Sequence, residues 1–497
     1  MENLLLGVDV GTTATKAVLV DYNGKLVSQG RVEHPTFHVK TGWVEQDAND
    51  WWKSFCGSVA IAKQGASNSN ITAVLISSQA PTLLAVDEKG EQVRRAMIWM
   101  DRRAEEQAQE LHRKFPKISE MTGNRADPYY VAAKIKWLID NEPVNYKKTK
   151  YFLQIPGFLN FKLTGKFGID GPHASMLQLQ TADNAKWIPE VLDFVGVSED
   201  KFPIIGGSTE KFAEVASNNE SGIPAGTPVF FGAVDGCSAA VEAGAIDPGT
   251  VAEMSGTSTV LLMPTDGQPF IDEFVALEHS IPNRQIRLGA MVSSGASIQW
   301  LQQNIFKSHT SLDDLTVGAE KVKAGCNGLV FLPYMMGERS PIWNSNARGV
   351  FFGLTLGTTP EAMFRSVLEG TAFTLAHNVE VAKKAGIKVN EIRSIGGATK
   401  SGLWNQIKAD VLGMPVLTIQ ESVGASLGDA YLAGLGLGVF KDIQEPLKKN
   451  LVFEKTYEPN MKAHGLYKEQ FAIFRSIYES TRTELDKLAQ LADSEIN

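Results

Sequence analysis

Only three cysteines occur in the 497 residues, Cys56, Cys237 and Cys326. They are far apart and odd in number, so neither a disulfide framework nor a cysteine zinc knuckle can be built from them. Reduced thiols in a cytoplasmic protein are the expectation. No apolar run reaches the ~18 residues needed to span a membrane, and the N-terminus lacks a basic segment followed by an apolar core and a cleavage site. Positive charge is scarce as well. The 48 Lys and Arg against 56 Asp and Glu leave a net charge of −8, which argues against nucleic acid as a partner. Any anion site must therefore be made locally from backbone amides, lysines or a bound cation. Low-complexity tracts are missing too, and 43% hydrophobic with 21% charged residues is the composition of an ordinary globular chain.

What is present is length and a repeated pattern. A chain of 497 residues exceeds what one hydrophobic core serves, so two domains of roughly 200 to 250 residues are expected, with a ligand cleft between them. The stretch "LLLGVDVGTTATKAVLVD", residues 4 to 21, reads as two buried strands joined by a turn that displays Asp9, Thr12, Thr13 and Lys16. Further strands at "KLVSQGRVEH" and "ITAVLISS", with helices near 50–64 and 102–115, make the architecture α/β. The plan restarts in "GTPVFFGAVDGCSAAVEAGAIDPGTVAEMSGTSTVLLMPTDG", where a strand, a small-residue helix and a second strand–turn–strand echo the opening. Two similar halves follow, 1–246 and 247–497, divided near Asp247.

Neither Gly24-Lys25 nor Gly165-Lys166 has the flanking residues of a P-loop, and "GLGLGVF" lacks the spacing of a dinucleotide fingerprint. The remaining phosphate candidates are the hairpin turns "DVGTTATK" and "SGTS", where glycines let amides approach oxygens and threonines add hydroxyl donors. Each alone is more readily explained as an ordinary β-turn. Their occurrence at the starts of two similar halves is what points to a nucleotide.

"DVGTTATK", "GAVDG", "SGTS", "GERSPIWNSNARGVFFGLT" and "SIGGATKSGLWNQIKADVLGMPV" stand in the order found in the FGGY family of carbohydrate kinases, and the chain resembles that family from Leu6 to about Phe440. "YYVAAKIKWLIDN" resembles the family's N-terminal signature at Tyr129, Lys134, Trp137 and Asn141, with Val131 departing from it; Ala362 departs from the C-terminal one. The resemblance implies two actin-like, ribonuclease H-like ATPase domains with a central cleft. It also implies ATP and Mg²⁺ as cofactor and ion, and a small sugar or polyol as substrate. The first half would hold the sugar and the catalytic carboxylate, and the second the adenosine.

By that resemblance Asp235 is the general base, although its place before "GCSAAVEAGA" equally suits a helix N-cap. Asp9 would orient Mg²⁺ through its waters. Thr12, Thr13, Lys16, Gly256 and Thr257 would face the phosphates. Gly396 and Gly397 would lie against ribose and α-phosphate, and Asn405 would reach the adenine. Sugar contacts are expected from Gln79, Trp99, Asp101, Arg102, Tyr129 and Asp235, with Ser294, Gln299 or Glu338 added from the second half. "SSQAPTLLAVD" keeps Gln79 but has Ala80 and Pro81 where xylulose kinases resemble Gln-Met-His-Gly and glycerol kinases Gln-Arg-Glu. "IWMDRRA" is similar to sugar kinases, "DPYYVAAKIKW" to glycerol kinases and "GERSPIWNSNARG" to gluconate kinases. A ketopentose such as xylulose is the expected substrate, with gluconate, glycerol, ribulose and tetritols as alternatives. An actin-like or chaperone-like nucleotide switch is the alternative of another class. Neither nucleic acid nor membrane is expected as partner, and a homodimer is left open.

Overall fold

The computed structural model describes residues 2–267, 269–307 and 311–494. The chain divides into two compact units: 1–246 with 270–286 and 423–451, and 247–269 with 287–422 and 452–497. The division at Asp247 is thus accompanied by two returns of the chain, where contiguous halves were expected. Among the described residues no helix is long and apolar enough to cross a membrane.

In the first unit the sheet runs in the order Lys211–Glu214, Pro228–Phe230, Ser69–Ser78, Glu2–Val10, Ala14–Asp21, Leu26–Glu33, with Ala233–Val234 also joined to Ser69–Ser78. The first three strands of the chain form an antiparallel meander, and Glu2–Val10 pairs parallel with Ser69–Ser78. Strand periodicity divides the opening stretch between two cores. Leu4, Leu6, Val8 and Val10 join the core containing Trp51, Phe55 and Val59 of the helix Ala48–Gln64. Leu5 joins the opposite one, with Ala430, Tyr431 and Leu432 of the helix Ala425–Leu437. Asp9 therefore falls on the side of Leu5 and Gly7, facing that late helix.

Glycine is required where this helix is seated. A Cβ on Gly7 would stand 2.1 Å from the Ser426 carbonyl oxygen, and one on Gly428 would stand 2.0 Å from that of Ser238. The helix Ala425–Leu437 thus touches, backbone to backbone, both the first strand and the helix Asp235–Glu242. The small residues that make "GASLGDAYLAGLGLG" echo "DGCSAAVEAGA" serve this close approach.

The second unit repeats the strand plan. Its sheet is ordered Gln285–Met291, Thr259–Thr265, Gly249–Ser255, Val389–Gly396, Val416–Ile419, Phe453–Tyr457. Gly249–Ser255 and Thr259–Thr265 form the antiparallel hairpin, and Gly249–Ser255 pairs parallel with Val389–Gly396. The long helix Pro360–Lys384 and the C-terminal helix Met461–Ser494 supply much of its core, including Phe364, Phe373, Tyr467 and Phe474.

Candidate active site

Register gathers the chemistry of the first unit at one edge of its sheet. Asp9 pairs with Ser77, and Ala233 and Val234 pair in parallel with Ser77 and Ser78, so Asp9, Ser77 and Asp235 all stand at the carboxyl ends of neighbouring parallel strands. Ligands of open α/β sheets bind outside such ends. Asp235 is the first residue inside the helix Asp235–Glu242 rather than its N-cap, which is Val234. Its Oδ1 accepts from the Gly236 N–H at 2.7 Å.

The two carboxyls crowd each other. Burial, and then the charge of Asp235, push Asp9 up to about 7, while a hydrogen bond from Ser77 and the charge of Lys16 oppose the shift. Burial pushes Asp235 up to about 6, against the Gly236 N–H and the charge of His173. Lys16 lies opposite Asp9 in the hairpin register, and its ammonium is tied to the Val423 carbonyl. Burial holds its pKa below the usual lysine range.

The opening turn is braced from beneath. Thr12 Oγ1 donates to Gln79 Oε1 at 3.0 Å and accepts from Trp99 Nε1 at 3.2 Å. Gln79 in turn donates to Gln46 Oε1 at 2.7 Å. The Thr12 hydroxyl is thereby committed within the protein, whereas Thr13 is exposed. Gln79 is buried and acts through this network.

Three expected sugar contacts are used differently. Asp101 is completely buried; its carboxylate is clamped by Arg103 at 2.7–3.0 Å and accepts from the Val44 N–H at 2.7 Å. It is a structural ion pair, since a carboxylate enclosed without such a partner is strongly disfavoured. Tyr129 donates its hydroxyl to the Ala80 carbonyl at 2.9 Å and is buried. Arg102 remains partly exposed but is paired with Asp127 at 2.6 Å and Glu105 at 3.3 Å.

In the second unit the turn between Gly249–Ser255 and Thr259–Thr265 is closed by the Gly256 N–H donating to the Ser258 carbonyl at 2.8 Å. Its carbonyls at Gly256 and Thr257 receive the amides of Gly295 and Ala296 at 3.2 and 3.0 Å. Gly396 adopts φ +90°, and a Cβ there would meet the Ser255 carbonyl oxygen at 2.5 Å. Gly396 and Gly397 are exposed, with open space at the Cβ position of Gly397. Asn405 differs from the expected adenine contact. It is completely buried and donates to the carbonyls of Ala398 and Thr399 at 3.2 Å, so it holds the glycine turn from behind. Ser294 and Glu338 are buried too, and Glu338 accepts from the amides of Val292 and Arg339 at 2.8 Å; Gln299 is exposed.

Sequence reasoning missed the groups that surround Asp9 and Asp235. His173 Nδ1 lies 2.8 Å from Asp170 Oδ2, and its Nε2 lies 3.3 Å from Ser78 Oγ, both residues being buried. Asp429 receives Ser77 and Ser238. The one signal available was an aspartate inside an otherwise small and apolar helix, "GASLGDAYLAG". Among the described residues no group of three or more His, Cys, Asp or Glu is gathered to hold a metal.

Two units with one strand plan, each presenting a glycine turn at the carboxyl edge of its sheet, are those of an actin-like ATPase fold used for phosphoryl transfer. The comparisons with known proteins narrow that class. The N-terminal domain of the FGGY family of carbohydrate kinases matches residues 4–242 and the C-terminal domain matches 251–437; the chain belongs to this family. It is 27% identical over 493 residues to the xylulose kinase of Staphylococcus epidermidis, with 97% of this chain and 98% of that one covered. It is 30% identical over 480 residues to the glycerol kinase of Bacillus licheniformis, covering 93% and 95%. The solved gluconate kinase of Lactobacillus acidophilus matches with a TM-score of 0.93 at 28% identity, over 98% of this chain and 100% of that one. The protein is therefore a phosphotransferase that uses ATP on a sugar or polyol hydroxyl, and the nucleotide-switch alternative falls away.

Proposed function

We propose that the chain phosphorylates a neutral ketopentose such as xylulose, with Asp235 as general base. The observation that carries the base assignment is the half-buried Asp235 carboxyl with one oxygen fixed by Gly236 N–H and its pKa raised to about 6. A base poised near the working pH best combines the ionised form with proton affinity. Phosphoryl transfer to an alcohol passes through a loose transition state, so alignment and charge balance dominate while Asp235 takes the hydroxyl proton.

Asp9 fits a Mg²⁺ site of the water-mediated kind. It shares a crowded edge with Asp235 and is opposed by the ammonium of Lys16, so a cation relieves it, and Mg²⁺ takes few protein carboxylates. When bound, the ion neutralises phosphate charge. Thr13, Thr257, Gly396 and Gly397 would face the nucleotide, with Thr12, Gly256 and Asn405 shaping the turns. A cytoplasmic setting fits the three free thiols.

The ketopentose is favoured over an aldonate because Arg102, the cation among the expected sugar contacts, is already matched by Asp127 and Glu105. The xylulose kinase of Staphylococcus epidermidis aligns over 97% of this chain against 93% for the glycerol kinase of Bacillus licheniformis, which supports the same choice. The test is a panel of xylulose, ribulose, glycerol, erythritol and gluconate. The highest kcat/KM is expected for xylulose, and a higher value for gluconate or glycerol would overturn the substrate assignment.

A further inference from the structure

Asp429 lies on the late helix Ala425–Leu437 and is completely buried. Its Oδ2 is 2.7 Å from Ser77 Oγ, and its Oδ1 is 2.5 Å from Ser238 Oγ. Ser77 Oγ is also 3.3 Å from Asp9 Oδ1, and Ser238 stands one helical turn beyond Asp235. The reach of the carboxyl is fixed by the backbone contact at Gly428, where even a methyl group would collide with Ser238.

From this geometry we infer that Asp429 is a positioning residue, a neutral carboxylic acid that joins Ser77 to Ser238 and so sets Asp9 and Asp235 relative to each other. The inference rests on the roles proposed above for those two residues. Hydrogen counting supports the neutral form. A serine hydroxyl has one proton to give. With Asp9 ionised, as its proposed Mg²⁺ role requires, an ionised Asp429 would take the Ser77 proton and leave none for Asp9. As an acid, Asp429 donates to Ser77, which donates to Asp9, while Ser238 donates to the other carboxyl oxygen. Burial, and then the charge of Asp9, favour the same form by holding Asp429 well above the usual carboxylate range.

The experiment compares Asp429→Asn and Asp429→Ala in the full chain. The readouts are kcat, KM for sugar and ATP, Mn²⁺ affinity of the ADP complex by electron paramagnetic resonance, and thermal unfolding. Asparagine offers one donor and one acceptor in the same places. It is expected to keep Mn²⁺ affinity and to hold kcat within about twofold. Alanine leaves both serines without their partner, and displacements of order 1 Å cost up to about 10²-fold. For it we expect kcat reduced about ten- to a hundredfold and weaker Mn²⁺ binding, with KM for sugar little changed. Unaltered kcat and Mn²⁺ affinity in Asp429→Ala would overturn the inference. So would an Asp429→Asn protein as impaired as the alanine variant, since charge rather than the bridge would then be at work. Should Asp429→Ala not fold, Ser77→Ala and Ser238→Ala each remove one arm. The first is expected to weaken Mn²⁺ binding and the second to lower kcat alone, and the reverse pattern contradicts the bridge. Asp9→Asn is measured alongside, because unchanged Mn²⁺ affinity there would remove the metal role of Asp9 itself, independently of Asp429.

Discussion

Replacing Asp235 by asparagine should separate its two structural consequences from its chemical one. The amide oxygen can still accept from Gly236 N–H, now 2.7 Å from Oδ1, so the start of the helix is preserved. General-base assistance is worth about 10²- to 10⁴-fold, or roughly 3 to 5 kcal/mol of barrier, and that is the expected fall in kcat. Stability should move the other way. The folded Asp235 carboxyl is raised from 3.8 to about 6, so between those values the folded chain binds more protons than the unfolded one and loses stability as pH rises. The variant escapes this cost, which at about 1.4 kcal/mol per pH unit is up to about 3 kcal/mol near neutral pH and nothing below about pH 4. Asp9, freed from its neighbour's charge, should titrate below its present value of about 7. In the unmodified protein kcat/KM should rise with pH through about 6, and the variant should lack that limb. The assays are coupled ADP release across pH and calorimetric unfolding at acid and neutral pH. Near-normal turnover in folded Asp235→Asn would refute the base, and a melting temperature unchanged at neutral pH would refute the charge crowding.

Asp101→Ala should lower stability by about 1 to 3 kcal/mol, because it removes the clamp on the completely buried Arg103 guanidinium and leaves Glu45, at 2.8 Å, as its carboxylate partner; a raised sugar KM with unchanged chemical denaturation would restore Asp101 to the sugar site. Gly428→Ala should destabilise by about 1 to 3 kcal/mol or more, since the new methyl group meets the Ser238 carbonyl oxygen at 2.0 Å; urea unfolding at wild-type concentrations would show the helix seating to be loose. Gly396→Ala combines a positive φ with a 2.5 Å clash at Ser255, so ATP affinity by titration calorimetry should fall while sugar affinity holds, and unchanged nucleotide binding would remove the turn from the site.

The hairpins, the strand at "ITAVLISS" and the helix before Gly65 were legible because apolar periodicity and glycine punctuation act locally, whereas the parallel pairing of Glu2–Val10 with Ser69–Ser78 is a tertiary choice. The turn residues Thr12, Gly256 and Gly396 were legible for the same reason. Side-chain direction was not. Asp101 and Arg102 are adjacent in the chain, yet Asp101 faces inward onto Arg103 and Arg102 outward to Asp127, a choice made by tertiary packing. Asn405 was read as facing a ligand because it follows a glycine turn, but the turn itself has carbonyls that need donors, and Asn405 supplies them. Asp429 lay beyond sequence reasoning because its partners, Ser77 and Ser238, are 352 and 191 residues away. The same distance along the chain separates 423–451 from the first unit that it joins, and local periodicity does not report such a return.

Phosphorus NMR of the protein incubated with ATP, Mg²⁺ and xylulose tests the account most directly. A phosphomonoester of the sugar should grow in step with ADP, and Asp235→Asn should suppress both. ADP accompanied only by inorganic phosphate, at a rate indifferent to every sugar of the panel, would contradict the assignment of this site to sugar phosphorylation.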